Sequence, residues 1–418
     1  MDCIYLSQIH IIMKVDQLTA FFVRQWLQSP DEFSMEENGF SPIEKKKRER
    51  QVSSFLKTLK NLNGEMSTHQ LSEFVLRELR VLFKTVFNYR SDQLDLMFSP
   101  EMMQSTRQFV KKAKAFGSEL SIASIFQACR NVWIMNGLQL VLGKPVQLTP
   151  AIFAYSMLYP YTDNFVDDPL VGRDEKLAFS QRFASRLVGE AVLPENEHER
   201  QIYRLVAMIE GQYDRSHFPG VYQALLGIHR AQTQSMTLLN NEQLSQEQAL
   251  TICIEKGGTS VLADGFLIAG QLNEQQQQFL FGYGAYLQLL DDIQDVKEDL
   301  NDGLMTAFSI AARQQPMDAV IGKTFNFGAQ ILNDSRPVIQ RVSLDFEGLL
   351  QKSILLFLIE SVAIDNQYYS KHFQQRLEKL SPLSFRYIRE KRNFFTPQKH
   401  VMFDKLEALT KARKKQLA

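Results

Sequence analysis

Two acidic runs constrain this chain more than any other feature: Asp163-Asn164-Phe165-Val166-Asp167-Asp168, and Asp291-Asp292-Ile293-Gln294-Asp295 with Asp299 beyond it. Each closes an apolar stretch, Ala151 to Tyr161 in one case and Phe279 to Leu290 in the other, of the kind that folding buries. At ~100° per residue of helix, Asp291, Asp295 and Asp299 drift only ~40° per step and share one face. Asp163 and Asp167 repeat the one-turn spacing. Carboxylates this close repel one another, and burial adds to the cost of their charge unless a cation neutralises them. Both runs facing one another across a helical pocket would hold hard divalent cations between them, an arrangement suited to a diphosphate.

The rest of the pattern is helical. Val52, Phe55, Leu56 and Leu59, then Leu71, Phe74, Val75, Leu79, Leu82, Phe83 and Phe87, recur at steps of three and four. Similar stripes cover Ile122 to Leu142, Lys176 to Val188, Gln201 to Ile209, Gln246 to Glu255, Gln275 to Leu290 and Leu349 to Ala363. Breakers such as Gly143-Lys144-Pro145, Pro194, Pro219-Gly220 and Ser381-Pro382 fall between them, and Thr149-Pro150 and Asn273-Glu274 read as helix starts. Alternating β-type runs are scarce. An all-α protein follows. Residues 1–115 read as an N-terminal helical region packed on the core, 116–400 as the motif-bearing bundle and 401–418 as a basic tail. No linker separates the first two, so one domain is expected rather than two.

Composition excludes some classes. Lys+Arg and Asp+Glu balance at 47 each, which leaves no overall basic field for nucleic acid. Basic residues do gather in Lys45 to Arg50 and Lys411 to Lys415, which read as a solvated helix face and a frayed tail. The three cysteines, Cys3, Cys129 and Cys253, are widely spaced and odd in number, so neither a disulfide framework nor a zinc site is expected. The cytoplasm is the compartment that fits. Ser353 to Ile364 is too short for a membrane span and holds Glu360. Cys3 to Met13 lacks the basic start and small-residue cleavage site of a signal peptide, and Met13 is an alternative start.

The neighbours of the second acidic run carry a resemblance. Tyr286-Leu287-Gln288-Leu289-Leu290-Asp291-Asp292-Ile293-Gln294-Asp295, continued by Val296-Lys297-Glu298-Asp299, is similar to the prenyltransferase string F-Q-x-x-D-D-x-x-D-x-x-x-D. Upstream, Glu255-Lys256-Gly257-Gly258-Thr259 resembles that family's diphosphate-binding lysine segment, and the adjacent glycines fit a kink that lets backbone approach a ligand. Asp163, Asn164 and Asp167 match D-D-x-x-D with the second aspartate replaced, and Arg173 follows near the family's arginine pair. The chain thus resembles the class I isoprenoid synthases, trans-prenyltransferases and class I terpene synthases alike, over roughly residues 140 to 310.

The resemblance implies a helical bundle around a central active-site cavity. It implies a metal set of Asp163, Asn164, Asp167, Asp168, Asp291, Asp292, Asp295 and Asp299. About three Mg2+ ions would be held with bound diphosphate, Mn2+ being a substitute. Asp163, Asp167, Asp291, Asp292 and Asp295 would be catalytic, while Lys256, Arg173, Gln288, Arg386 and Tyr387 would bind the diphosphate. Arg386-Tyr387 is similar to a C-terminal Arg-Tyr pair of bacterial terpene synthases. The partner implied is a prenyl diphosphate, with no nucleic acid and no membrane span, and a homodimer is compatible with it. Aromatic side chains near the runs, including Phe153, Tyr155, Tyr159, Phe165, Tyr283 and Tyr286, would line the pocket.

Departures narrow the choice. Gly143-Lys144-Pro145 keeps the lysine of the G-K-x-x-R-P segment but lacks its arginine, Gly172 stands beside Arg173, and Leu304 replaces a lysine past the second run. A second anionic substrate has fewer charge-assisted partners. One diphosphate substrate, and so a terpene synthase, is expected over chain elongation. The alternatives are a prenyl diphosphate synthase and a non-catalytic helical subunit.

Overall fold

The structure is a computed structural model that describes residues 2–33, 39–60, 68–117, 120–167, 170–314, 316–334 and 344–391. Side chains at 2–13, 60, 68–69, 71–72, 163–164, 166–167, 334 and 344–346 are outside that description. The described residues are all-α, with one isolated bridge between Leu239 and Leu304 as the extended pairing among them. None of their helices is long and apolar enough to cross a membrane. Contacts sort the chain into two compact units: Met1–Ser34 with Gln104–Leu120 and Ser124–Ser343, and Met35–Met103 with Ser121–Ala123 and Leu344–Ala418. The N-terminal stretch is thereby divided, its first helix belonging to the first unit and the next three to the second.

The first unit is organised on an antiparallel pair, α11 (Gln246–Ala269) and α12 (Glu274–Gln294). Both begin with reciprocal capping boxes, Ser245 with Gln248 and Asn273 with Gln276, which satisfy orphan amides at each start. The helices approach so closely that a methyl group at Gly257 would strike Gln288 and the Gly284 carbonyl, and one at Gly258 would strike Phe281. α11 runs on as one helix, and the missing side chains make room for α12.

Other helices cover this pair. α1 (Asp2–Gln28) lays Phe22 against Phe281 and Phe327 at ring separations of 5.8 and 6.2 Å, and its Trp26 indole donates to Thr324 Oγ1 at 2.9 Å. Thr324 and Phe327 lie on α15 (Asp318–Asp334). α6 (Ile122–Val141) and α7 (Pro150–Asp167) add polar links described below. α8 (Arg173–Val188), α9 (Glu197–Gln212) and α10 (Pro219–Ser235) join through ion pairs and through Ser180, whose hydroxyl lies 3.2 Å from His229 Nε2. α13 (Val296–Asp302) and α14 (Ala307–Gln314) follow α12 directly.

The second unit holds α2 (Pro42–Lys60), α3 (Thr68–Thr85), α4 (Ser91–Met97), α16 (Leu344–Ile364) and α17 (Lys371–Leu380), while α5 (Pro100–Phe116) begins in it and continues in the first. Val52, Leu56, Leu82, Val86 and Leu383 form an apolar cluster there.

Candidate functional site

The second acidic run divides its carboxyls between two directions. α12 stops at Gln294, Asp295 occupies the junction at φ −96° and ψ 4°, and α13 starts at Val296. The one-turn spacing is nevertheless kept, since the Asp295 amide donates to the Asp291 carbonyl at 3.0 Å and the Asp299 amide to the Asp295 carbonyl at 2.8 Å. Asp291 is half-buried and Asp295 exposed, whereas Asp292 and Asp299 are buried at 6% and 8% exposure. Thr306 Oγ1 donates to Asp299 Oδ2 at 3.2 Å, and Gln288 Nε2 donates to Asp292 Oδ1 at 2.8 Å. Gln288, expected at the diphosphate, is thus hydrogen-bonded to the acidic run itself.

These carboxyls are held uneasily. Burial pushes Asp292 up to about 6, against the pull of hydrogen bonds from Gln288 and Cys253 and of the Lys256 charge. Burial, then the neighbouring Asp292 and Asp295, pushes Asp299 up to about 8. Asp292 Oδ2 has no hydrogen-bond partner among the described residues. Asp291 and Asp292 also sit in the last turn of α12, where the macrodipole opposes negative charge, whereas Asp299 lies in the first turn of α13. Apart from that last placement, each of these facts adds to the cost of negative charge at this place.

Two cationic groups approach from neighbouring helices. Burial raises Asp291 as it does Asp292, and Lys256, half-buried on α11, lies near enough to oppose both rises, as Arg130 does for Asp291. Arg130 on α6 places Nη2 3.2 Å from Asp291 Oδ1. Sequence reasoning missed Arg130, because nothing local to α6 marks it.

A second polar group lies beside it. Asn131 Nδ2 donates to Ser156 Oγ at 3.2 Å on α7 and to Asp264 Oδ1 at 3.3 Å on α11. Asp264 is 1% exposed, its Oδ2 has no partner among the described residues, and burial raises its carboxyl well above the usual range while the Asn131 amide opposes this. Lys256, Ser260 and Asp264 recur every four residues, so one row of α11 carries all three. That spacing was the signal available for Asp264. The Tyr155 hydroxyl reaches the Ser260 carbonyl at 3.4 Å, which closes a ring of α6, α7, α11 and α12 around these groups.

The first acidic run is seen only in part. Asp163, Asn164 and Asp167 occupy the last turns of α7, but their side chains lie outside the described residues, and Asp168 lies outside them altogether. Between them Phe165 packs on Phe179 at 4.8 Å and on His198 at 5.3 Å between ring centroids. Among the other aromatic candidates, Phe153, Tyr283 and Tyr286 are core residues, whereas Tyr159 is 41% exposed one turn before Asp163. An apolar recess lined by Lys14, Val15, Leu18, Thr259, Leu262 and Phe266 lies across α11 from the Lys256 row.

The remaining candidates fall elsewhere. Arg173 is exposed at the first position of α8. Arg386 and Tyr387 belong to the second unit, where Arg386 Nε donates to Glu390 at 2.7 Å and the Tyr387 hydroxyl donates to the Glu49 carbonyl at 3.0 Å. Arg182 and Arg186, two further cations that share a face of α8 downstream of the first run, are also engaged: Arg182 is bound by Glu199 and Glu195, and Arg186 by Glu210, which Arg215 shares. Lys144 is exposed.

Whether this donor set fits magnesium can be judged from its chemistry. Carboxylate oxygens suit a hard cation, and the unpartnered Asp292 oxygen and the raised carboxyls fit one. Among the described residues, no group of three or more His, Cys, Asp or Glu is placed to hold a metal. No family model and no curated protein sequence matches the chain. The class defined by the structure is an all-α protein with an acidic helix end countered by Lys256 and Arg130.

Proposed function

We propose that the chain is a magnesium-dependent class I terpene synthase that ionises one allylic prenyl diphosphate and directs the resulting cation. The observation that carries this reading is the gathering of Gln288, Lys256 and Arg130 on the carboxyls that close α12. Asp291 and Asp295, with Asp163 and Asp167 from α7, would hold the magnesium. When bound, magnesium supplies Lewis-acid stabilisation of the charge that develops on the departing diphosphate oxygen. The allylic C–O bond breaks and its electron pair leaves with the diphosphate. Lys256 and Arg130 offer N–H donors to that anion, Gln288 fixes the orientation of Asp292, and the aromatic side chains beside the two runs exclude water from the cation.

A single diphosphate is favoured over chain elongation because Arg182 and Arg186 are engaged by glutamates. One observation favours a non-catalytic subunit instead: Asp291 is already neutralised by Arg130. Diphosphate release separates the readings. Wild type should release diphosphate from farnesyl, geranylgeranyl or longer substrates with Mg2+, and Asp163→Ala or Asp291→Ala should abolish it. Unchanged turnover in both variants would sink the proposal. Incorporation of labelled isopentenyl diphosphate into a longer product would instead identify elongation.

A further inference from the structure

We propose that the outward face of α2 docks on an anionic lipid bilayer. This helix carries Lys45, Lys46, Lys47, Arg48, Arg50, Lys57 and Lys60 against two acids, Glu44 and Glu49. At ~100° per residue, Ile43, Lys46, Lys47, Arg50, Ser54 and Lys57 fall within an arc of about 100°. All six are exposed, Ile43 at 83%. Neither acid lies in that arc.

The rest of the helix explains why the face is one-sided. Lys45 donates to the Glu378 carbonyl, and Arg48 donates to the carbonyls of Thr85 and Val86 and to Asn88. Glu49 accepts from the Ser384 amide and hydroxyl at 2.9 and 2.6 Å, and Glu44 accepts from those of Ser41 at 2.8 and 2.7 Å. Val52 and Leu56 enter the core of the second unit. Both acids and two cations of the run are thus used in holding the fold. Lys46, Lys47, Arg50 and Lys57 point outward together.

Charge complementarity selects an anionic surface, since each Lys or Arg near an acidic leaflet adds attraction that decays within a Debye length. Ile43 selects lipid among such surfaces, because it sets an apolar side chain at the head of the strip, ready to enter the interface. The arc holds no aromatic ring and no Asn or Gln, the groups with which proteins stack on or read bases. This inference stands apart from the catalytic reading, because none of the proposed catalytic residues belongs to α2.

Co-sedimentation of the full chain tests it, using vesicles of phosphatidylcholine alone and of phosphatidylcholine with phosphatidylserine. Wild type should bind the acidic vesicles only, with release at high salt. The triple variant Lys46→Glu, Lys47→Glu, Arg50→Glu should bind about tenfold more weakly or worse. The milder Lys46→Gln, Lys47→Gln, Arg50→Gln should shift the same way if charge reversal disturbs folding. Ile43→Ser should weaken the binding that survives at moderate salt. Lys111→Glu, Lys112→Glu, Lys114→Glu on α5 makes the same change in net charge at exposed sites and should leave binding intact. An equal loss in that control, no binding by wild type, or capture of nucleic acid in place of acidic vesicles would each overturn the proposal.

Discussion

Arg130 and Asp291 form an ion pair in which 63% and 47% of the two side chains remain exposed. A pair so exposed contributes at most about 1 kcal/mol to stability, so its use must be sought in binding. Arg130→Ala should leave the urea midpoint nearly unchanged and lower diphosphate release about tenfold or more, with Arg130→Lys recovering part of it. If release matches wild type, Arg130 is no more than a surface counter-ion. At this scale the sequence was partly legible. Four-residue spacing marked the carboxyls of the second run, and the family segment marked Lys256. It did not reveal that Asp299 turns inward to Thr306, because Thr306 lies beyond the turn that ends α13 at Gly303. Nor did it reveal Arg130, whose partner is 161 positions away.

Among the elements, the α11–α12 pair decides how closely the candidate groups can meet. Gly257 and Gly284 let two backbones touch where side chains would hold them apart. Gly284→Ala should therefore destabilise by about 1–3 kcal/mol, since the new methyl would meet the Gly257 carbonyl and Val261. Gly211→Ala on α9 should act in the opposite sense, raising stability by up to about 1 kcal/mol, because nothing lies within 4 Å of its added methyl. Urea midpoints measure both, and a stabilising Gly284→Ala would show that the two helices separate more easily than their packing implies. The helices themselves were readable from the three- and four-residue stripes, and the starts at Pro150 and Glu274 from Thr149 and Asn273. The purpose of the glycines was not, because a close approach has two partners and the local sequence names one.

For the whole molecule, the buried carboxyl of Asp264 ties stability to pH. Burial raises its folded pKa above an unfolded value near 3.9, so between these values the native state binds the additional proton. Stability must then fall as pH rises across that window, by up to about 1.4 kcal/mol per pH unit. Asp264→Asn removes this term, so the variant should gain on wild type steadily from about pH 4 upward, read as the difference in urea midpoints. A difference constant with pH would mean that Asp264 titrates as an ordinary carboxyl. The division of the chain into two units was likewise not visible in sequence, since α1 joins the first unit and α2 the second through contacts far along the chain. Taken by itself, the sequence determined the helical class, most helix positions and the acidic run with its glutamine and lysine, because periodicity and capping are local properties. Only the tertiary structure decided which carboxyls turn inward, that Arg130 and Asn131 bring α6 to them, and that Arg182 and Arg186 are already engaged. These depend on distance in space and on competition for partners, and neither is written in the spacing of residues.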